Sequence, residues 1–198
     1  MNYLAHAFLS FHHPQILVGN MISDDVKGKK QFEYSEQIQW GIQLHRAIDQ
    51  YTDSHDCIKE TKKIFKDELG TYSGAFIDIM FDYYLANDIQ FFKTEKELEN
   101  LASACYDVLE NYTSIFPEKF ARLFPYMKTQ NWLYHYKDDY GIQQSFRGLT
   151  NRAQYINKNH NGFEIFLQNK EKLQVLYEEF IIDLHAFAWQ KFQETLHS

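Results

Sequence analysis

Two pairs of ionisable residues occupy positions where the sequence pattern calls for apolar side chains. In the first pair, His45 and Asp49 continue an apolar helical stripe. In the second pair, Asp78 and Asp82 lie between apolar neighbours of another stripe. Residues four apart lie one turn from each other on the same face of a helix. Each pair is therefore a candidate to chelate one cation.

A simpler interpretation exists for each of these residues taken alone. Asp78 and Asp82 would reach solvent at the border of the core, and His45 would be a hydrogen-bonded core histidine, since polar residues at core borders are common. Buried carboxylates are costly unless they are paired, hydrogen-bonded or bound to a metal. A single shared ion would account for both pairs at once, and the spacing alone leaves both interpretations open.

The donor types indicate which ion such a site would take. One imidazole and several carboxylates favour Mg²⁺, Mn²⁺ or Fe²⁺ over a structural zinc held by thiolates. A redox di-iron bundle is an alternative, but that class uses Glu-x-x-His on two helices. Here the spacing occurs once, from Glu194 to His197. Divalent ions of this kind activate water and neutralise phosphoryl oxygens, so the residues predict a metal-dependent phosphoesterase.

The rest of the sequence predicts the helices that would position these residues. With 8 Gly and 3 Pro in 198 residues, turn signals are few, and apolar residues recur at helical intervals almost throughout. We predict an all-α, single-domain helical bundle over residues 1–198. The stripes predict helices over residues 37–52 and 72–92. Thr94 and Glu97 predict a capping box, while Pro117 opens a helix whose length Pro125 limits.

Composition excludes several classes of protein. The formal net charge of -7 argues against non-specific binding of nucleic acid. The longest apolar stretches are far shorter than a membrane span, and residues 1–30 lack the layout of a signal peptide. The two cysteines, Cys57 and Cys105, have no CxxC spacing, which fits a reducing cytoplasm. We therefore expect a cytoplasmic protein with no membrane segment.

Four motifs occur in the same order and at comparable spacing to those of one known family. They read MNYLAH at 1–6, GNMISDDVKG at 19–28, GIQLHRAIDQYTD at 41–53 and DIMFDYYL at 78–85. Together they resemble the acyl carrier protein phosphodiesterase family, also called acyl carrier protein hydrolase. The similarity continues through Trp132, Leu133, Tyr136, Asp138, Ile142 and Arg152.

This resemblance implies a helical relative of the HD-type phosphohydrolases that uses Mn²⁺ or Mg²⁺ and serves lipid metabolism. The implied reaction cleaves the phosphodiester that joins 4'-phosphopantetheine to a serine of holo acyl carrier protein. Its products are the apo protein and free 4'-phosphopantetheine. The positions shared with the family are His6, Asp24, His45, Asp49, Asp78 and Asp82. His6 and Asp24 come from the resemblance alone.

The chemistry of these residues suggests a role for each. We expect His45, Asp49, Asp78 and Asp82 to hold one or two cations. Asp24 is a further ligand or the base that orients the attacking water, and His6 is a candidate proton donor to the leaving serine. Arg46 and Arg152 are expected to bind phosphate oxygens. Lys27, Lys29 and Lys30 form a local basic patch for the acidic carrier protein.

Two further histidine motifs are left out of the predicted site. His55 and Asp56 have the adjacent His-Asp order of true HD enzymes, but the pair follows a helix end in a stretch typical of a surface turn or helix cap. His12 and His13 precede Pro14 and have no helical register.

Three functional hypotheses remain from the sequence. The first is the carrier-protein phosphodiesterase. The second is a phosphohydrolase that acts on a small nucleotide or pantetheine phosphoester at the same metal site. The third is a catalytically silent helical protein that binds a partner. The sequence leaves the oligomeric state open.

Overall fold

A computed structural model describes residues 1–152 and 162–196. These residues form eleven α-helices and no strand. The helices are α1 (Tyr3–Phe8), α2 (Pro14–Ile22), α3 (Glu36–Ser54), α4 (Asp56–Leu69), α5 (Ser73–Ala86), α6 (Glu95–Glu110), α7 (Glu118–Thr129), α8 (Trp132–His135), α9 (Asp139–Arg152), α10 (Gly162–Gln168) and α11 (Lys170–Leu196). Short 3-10 helices lie at Ser23–Asp25, Gly28–Glu33, Gly70–Tyr72 and Thr113–Ile115.

The predicted all-α architecture is confirmed for the described residues. Helices α3 and α5 contain the two stripes singled out in the sequence, although α5 ends at Ala86 rather than near residue 92. The chain turns at Asn87, whose side-chain amide donates to the carbonyl of Tyr83 and so satisfies a helix-terminal acceptor. None of the described helices is long and apolar enough to cross a membrane.

Two local predictions about helix ends were wrong. Helix α7 continues through Pro125 to Thr129. Helix α6 does begin after Thr94, but the Thr94 side chain makes no capping hydrogen bond. Glu97 instead accepts from the backbone N–H of Lys93 at 2.7 Å, one residue before the N–H that it would accept from in a capping box.

Helix α5 lies at the centre of the bundle. Eleven of its fourteen residues are buried, and it packs against α1, α4, α9 and α11. Such a helix is hydrophobic nearly all round because little of its surface faces solvent. A carboxylate on it, such as that of Asp82, must therefore find a partner inside the protein.

Helices α2 and α3 approach each other at two glycines. A Cβ added at Gly19 would lie 2.0 Å from the carbonyl oxygen of Ile38 and 2.9 Å from the Cα of Gly41. A Cβ added at Gly41 would lie 2.2 Å from the carbonyl oxygen of Ile16. Real Cβ atoms do not come this close to backbone, so only glycine permits this distance between the helices. The crossing sets Asn20 on α2 beside His45 on α3.

We expect Gly19→Ala to destabilise the fold by about 3 kcal/mol, because the new methyl group meets backbone that can move only if the two helices separate. Gly148→Ala is the matched control, since Gly148 lies within α9 and an added Cβ there has nothing within 4 Å. Alanine at Gly148 should instead stabilise α9 by about 0.5–1 kcal/mol. Urea unfolding measures both variants, and equal midpoints would contradict the proposed constraint at the crossing.

Candidate functional site

The site is assembled from the first three helices and the turn after α2. His6 lies on α1, His45 and Asp49 lie one turn apart on α3, and Asp24 lies in the 3-10 turn Ser23–Asp25. The Nε2 atom of His6 is 3.3 Å from Asp49 Oδ1. The Nε2 atom of His45 is 3.1 Å from Asp49 Oδ2 and 3.4 Å from Asp24 Oδ1. The fold thus brings together four of the six residues that the sequence analysis selected.

The two imidazoles are stacked and point the same nitrogen into the cluster. Their ring centroids are 3.9 Å apart with an interplanar angle of 17°. The Nε2 atoms of His6 and His45 are buried and lack a hydrogen-bond partner with proper geometry. The nearby carboxylate oxygens are therefore close but poorly directed as acceptors. Together with a carboxylate oxygen of Asp49, these atoms lie within 4.8 Å of one another, as the ligand atoms of one cation would.

Asn20 holds both rings and was missed by the sequence analysis. It is fully buried on α2. Its side-chain Oδ1 lies 2.8 Å from His6 Nδ1, and its backbone carbonyl lies 2.8 Å from His45 Nδ1. Both acceptors require a proton on Nδ1, so in the neutral rings the lone pair is on Nε2. Asn20 therefore acts as a positioning residue for both histidines. The one indication of this role in the sequence was its place in the 19–28 motif.

The amide group of Asn20 is itself fixed by neighbours. Its Nδ2 donates to the backbone carbonyl of His6 at 2.9 Å and to the hydroxyl of Ser10 at 3.1 Å. The Ser10 hydroxyl donates to the same His6 carbonyl at 2.7 Å. This arrangement determines which end of the amide faces the His6 ring, because only the oxygen end can accept from Nδ1–H.

The carboxylates of the cluster are held in their charged form. Burial alone would raise the pKa of Asp49, but the imidazoles of His45 and His6 hold that pKa well below its usual value. The nearby imidazole of His45 lowers the pKa of Asp24. Asp24 is 70% exposed, whereas the Asp49 side chain is 41% exposed. Asp24 is therefore the carboxylate nearest to solvent in the cluster.

A pocket of about 230 Å³ opens beside these residues. Its lining includes Asp24, His45, Asp49, Arg46 and Lys27. The Arg46 guanidinium donates to the backbone carbonyl of Val26 at 3.1 Å and to Gln31 Oε1 at 2.8 Å. These two contacts hold a cationic group at the rim of an otherwise acidic cluster.

Among the described residues, Asp82 and Asp78 do not join the group of His6, His45 and Asp49, and both contact the segment at residues 1–5. Asp82 is fully buried and accepts hydrogen bonds from the backbone N–H groups of Asn2, Leu4 and Ala5 at 2.7–3.3 Å. It thereby caps α1 from a different helix. Burial raises the pKa of Asp82 to about 7 although these donors favour its charged form. Asp78 lies 2.9 Å from the backbone nitrogen of Met1.

The remaining predicted residues lie outside the cluster. Lys29 and Lys30 are exposed on the 3-10 helix Gly28–Glu33, next to Lys27 at the pocket. Arg152 is the last residue of α9, and its side chain lies outside the described residues.

The two histidine motifs that the sequence analysis set aside are helix caps. His55 caps α4 by accepting from the N–H of Cys57 at 3.3 Å, and His13 caps α2 by accepting from the N–H of Ile16 at 3.4 Å.

Comparison with known proteins decides the family. A family profile described as acyl carrier protein phosphodiesterase matches residues 1–184. The chain belongs to the acyl carrier protein phosphodiesterase family. The matched region contains every residue of the cluster, and it confirms the family that the four sequence motifs predicted.

Individual relatives are similar along nearly their whole length. A protein of Pectobacterium atrosepticum is 27% identical over 180 residues, which is 91% of this chain and 93% of that protein. A protein of Yersinia enterocolitica is 26% identical over 191 residues, which is 96% of this chain and 99% of that protein. A protein of Photorhabdus laumondii is 26% identical over 91% of each chain. All three are named acyl carrier protein phosphodiesterase. No solved structure gave a significant match.

Near neutral pH, one histidine of the cluster is expected to be charged and the other neutral. Burial and the neighbouring His45 ring lower the pKa of His6 to about 4. Burial also acts to lower the pKa of His45, but the carboxylates of Asp24 and Asp49 outweigh it and raise that pKa to about 9. Charged His45 therefore stabilises the fold fully below about pH 6.5, and this contribution is lost as the pH rises through the folded-state value.

NMR titration of the imidazole nitrogens measures these values directly. Asp49→Asn should lower the pKa of His45, because one of its two carboxylate partners is lost. Asp183→Asn is the control, since Asp183 lies 3.3 Å from the ring of His55 and should leave His45 unchanged. A His45 pKa that does not move in Asp49→Asn would contradict this electrostatic account.

Proposed function

We propose that this protein hydrolyses the phosphodiester between 4'-phosphopantetheine and the serine of holo acyl carrier protein, with a divalent cation as cofactor. The products are the apo carrier protein and free 4'-phosphopantetheine. The observation that carries the proposal is the convergence of two unpartnered imidazole nitrogens and the Asp49 carboxylate beside an open pocket. Family membership supplies the substrate, since the relatives carry its name.

The residues present fit a divalent cation. Two buried nitrogen atoms without hydrogen-bond partners are costly to the apo protein, and a cation would satisfy both of them. Their Nδ1 atoms are already bound to Asn20, as the second nitrogen of a metal-bound histidine usually is to a polar neighbour. We propose His6, His45 and Asp49 as ligands, with Asp24 as a further ligand or a water-orienting group. Asp78 and Asp82 are not part of this set.

The second imidazole changes the expected choice of metal. Mg²⁺ prefers oxygen donors and retains several waters, whereas Mn²⁺ and Fe²⁺ accept imidazole nitrogen more readily. We therefore favour Mn²⁺ over Mg²⁺ as the cofactor. When bound, such a cation lowers the pKa of a coordinated water and neutralises charge on a phosphodiester.

His6 is better suited to bind a cation than to donate a proton. Its ring is buried, with 3% of the residue exposed, and its pKa is lowered to about 4. A group with that pKa carries no proton to give near neutral pH. We therefore propose His6 as a metal ligand and not as the acid that protonates the leaving serine. The open pocket allows solvent to supply the proton to the serine oxygen.

Asp24 and Arg46 both line the pocket, where Asp24 can accept hydrogen bonds and Arg46 can donate them. The exposed carboxylate of Asp24 can accept a hydrogen bond from the attacking water and orient it toward phosphorus. The Arg46 guanidinium keeps N–H groups beyond those bound to Val26 and Gln31, and these can bind a non-bridging phosphate oxygen. Because Arg46 is already ordered, less side-chain entropy is lost when the substrate binds.

The basic segment next to the pocket is proposed as the docking site for the acidic carrier protein. Lys27, Lys29 and Lys30 are exposed within four residues of one another, and Lys27 also lines the pocket. The net charge of -7 repels an acidic partner over most of the surface. A local basic patch would direct the encounter to the site and raise the association rate.

The reaction is tested by mass spectrometry of holo acyl carrier protein after incubation with the purified enzyme and Mn²⁺. We expect the carrier protein to lose the whole 4'-phosphopantetheine group. In Asp49→Asn, we expect the carrier protein to keep its 4'-phosphopantetheine group and the enzyme to lose bound Mn²⁺. The reason is that this change removes the carboxylate between the two imidazoles.

Asp78→Asn is the matched control for this experiment. Asp78 is on α5 and contacts the Met1 nitrogen, so this variant should retain bound Mn²⁺ and most of the turnover. An intact holo protein, with hydrolysis of a small phosphoester instead, would favour the second functional hypothesis. Loss of Mn²⁺ in Asp78→Asn would indicate that Asp78 is a metal ligand, as the sequence analysis predicted.

The docking patch predicts a salt-dependent effect on substrate binding. The triple variant Lys27→Ser, Lys29→Ser, Lys30→Ser should raise KM for the carrier protein about tenfold at low ionic strength, with kcat little changed. The difference should shrink at high salt, because exposed charges are screened. The control is Lys59→Ser, Lys63→Ser, Lys66→Ser on α4, which removes the same charge elsewhere. Equal KM values for the two triple variants would refute the patch.

A further inference from the structure

The outward face of α11 carries an exposed apolar row. Val175, Ile182, Trp189 and Leu196 are 63%, 57%, 42% and 44% exposed. They follow one another at intervals of seven residues, and the opposite face of α11 is buried in the bundle. An apolar repeat of seven residues keeps one row facing a second helix when the two helices wind around each other. Each of the four side chains keeps a large exposed fraction in the part of the chain that the structure describes.

The apolar surface extends from α11 onto two neighbouring loops. The ring of Trp189 lies 4.9 Å from that of Phe11, which follows α1. The ring of His185 lies 5.6 Å from Phe11 and 5.4 Å from Phe91, which follows α5. Beside Phe91, Ile89 is 77% exposed. This surface is separate from the metal cluster, so the inference drawn from it does not rest on the proposed function.

We propose that the α11 row is the interface of a symmetric homodimer in which α11 pairs antiparallel with α11 of a second copy. A two-fold axis between His185 and Ala186 would place Val175 level with Leu196 of the second copy and Ile182 level with its Trp189. All four apolar residues then meet an apolar residue. Ala186 is exposed at the centre, where its small side chain lets the two helices approach closely.

Charge favours the antiparallel arrangement over the parallel one. The acidic residues next to the row, Glu171, Glu178 and Glu179, are all in the first half of α11. A parallel pair would place these carboxylates against their own copies. The antiparallel pair places Glu178 level with Gln193 of the second copy, whose side-chain amide can donate to the carboxylate.

The size of the α11 interface determines the affinity that we expect for the dimer. Val175 and Leu196, the ends of the row, are 21 residues apart in the sequence, or about 32 Å along the helix. Stable interfaces bury roughly 800 Å² per partner, and a contact through one helix and a few flanking side chains is a small one on that scale. We therefore expect a dissociation constant on the order of micromolar.

Sedimentation velocity of the full chain, from low to high micromolar concentration, tests the dimer. The wild-type protein should shift from monomer to dimer across this range. Ile182→Glu should weaken the dimer at least about a hundredfold, because it places one carboxylate from each copy in the apolar row. Tyr140→Glu on α9 is the matched control, since Tyr140 is 72% exposed on another helix, and it should associate as the wild type does. Far-ultraviolet circular dichroism checks that both variants fold.

Disulfide cross-linking tests the orientation without disturbing the row. A mixture of Val175→Cys with a size-tagged Leu196→Cys should give the mixed disulfide on mild oxidation. The native Cys57 and Cys105 are buried, so wild-type protein supplies the background. A wild-type monomer at every concentration, or a dimer insensitive to Ile182→Glu, would overturn the proposal. Preferential linking of Val175→Cys to its own copy would overturn the antiparallel arrangement.

Discussion

The close approach of α2 and α3 at Gly19 and Gly41 is the contact on which the site depends. Each glycine lies against the backbone of the other helix, and the distance that this permits is the distance at which the Asn20 carbonyl reaches the His45 ring. A wider crossing would leave the His45 imidazole without the acceptor that orients it. The geometry of the candidate site thus depends on two positions, Gly19 and Gly41, that have no side chain.

The sequence was sufficient to predict the all-α fold, helices α3 and α5, and the α3 part of the candidate site. Residues four apart on a helix keep a fixed relation, so His45 and Asp49 were found from spacing alone. His6 and Asp24 had no local signal, because they reach the cluster through the α1–α2 turn and the turn at Ser23–Asp25. The family motifs supplied them. Asn20 carries no charge, and its role arises from contacts between helices that no periodicity records.

Asp82 shows why a pattern of buried carboxylates is ambiguous. Its position on a central helix correctly predicted that the carboxylate needs partners inside the protein. The pattern could not tell a cation from backbone amides, since both satisfy a buried negative charge. In the structure, the N-terminal amides of α1 provide the partners. The same contact anchors α1 to α5. Asp82 therefore helps to hold His6 in place, although Asp82 itself lies outside the cluster.

Asn20 binds one histidine through its side chain and the other through its backbone. The two imidazoles are consequently not independent parts, because a shift of this one residue moves both donors together. The free-energy effects of changes at His6, Asn20 and His45 should therefore be strongly non-additive. In the proposed metal site, the two rings would therefore act as one bidentate ligand whose geometry depends on Asn20.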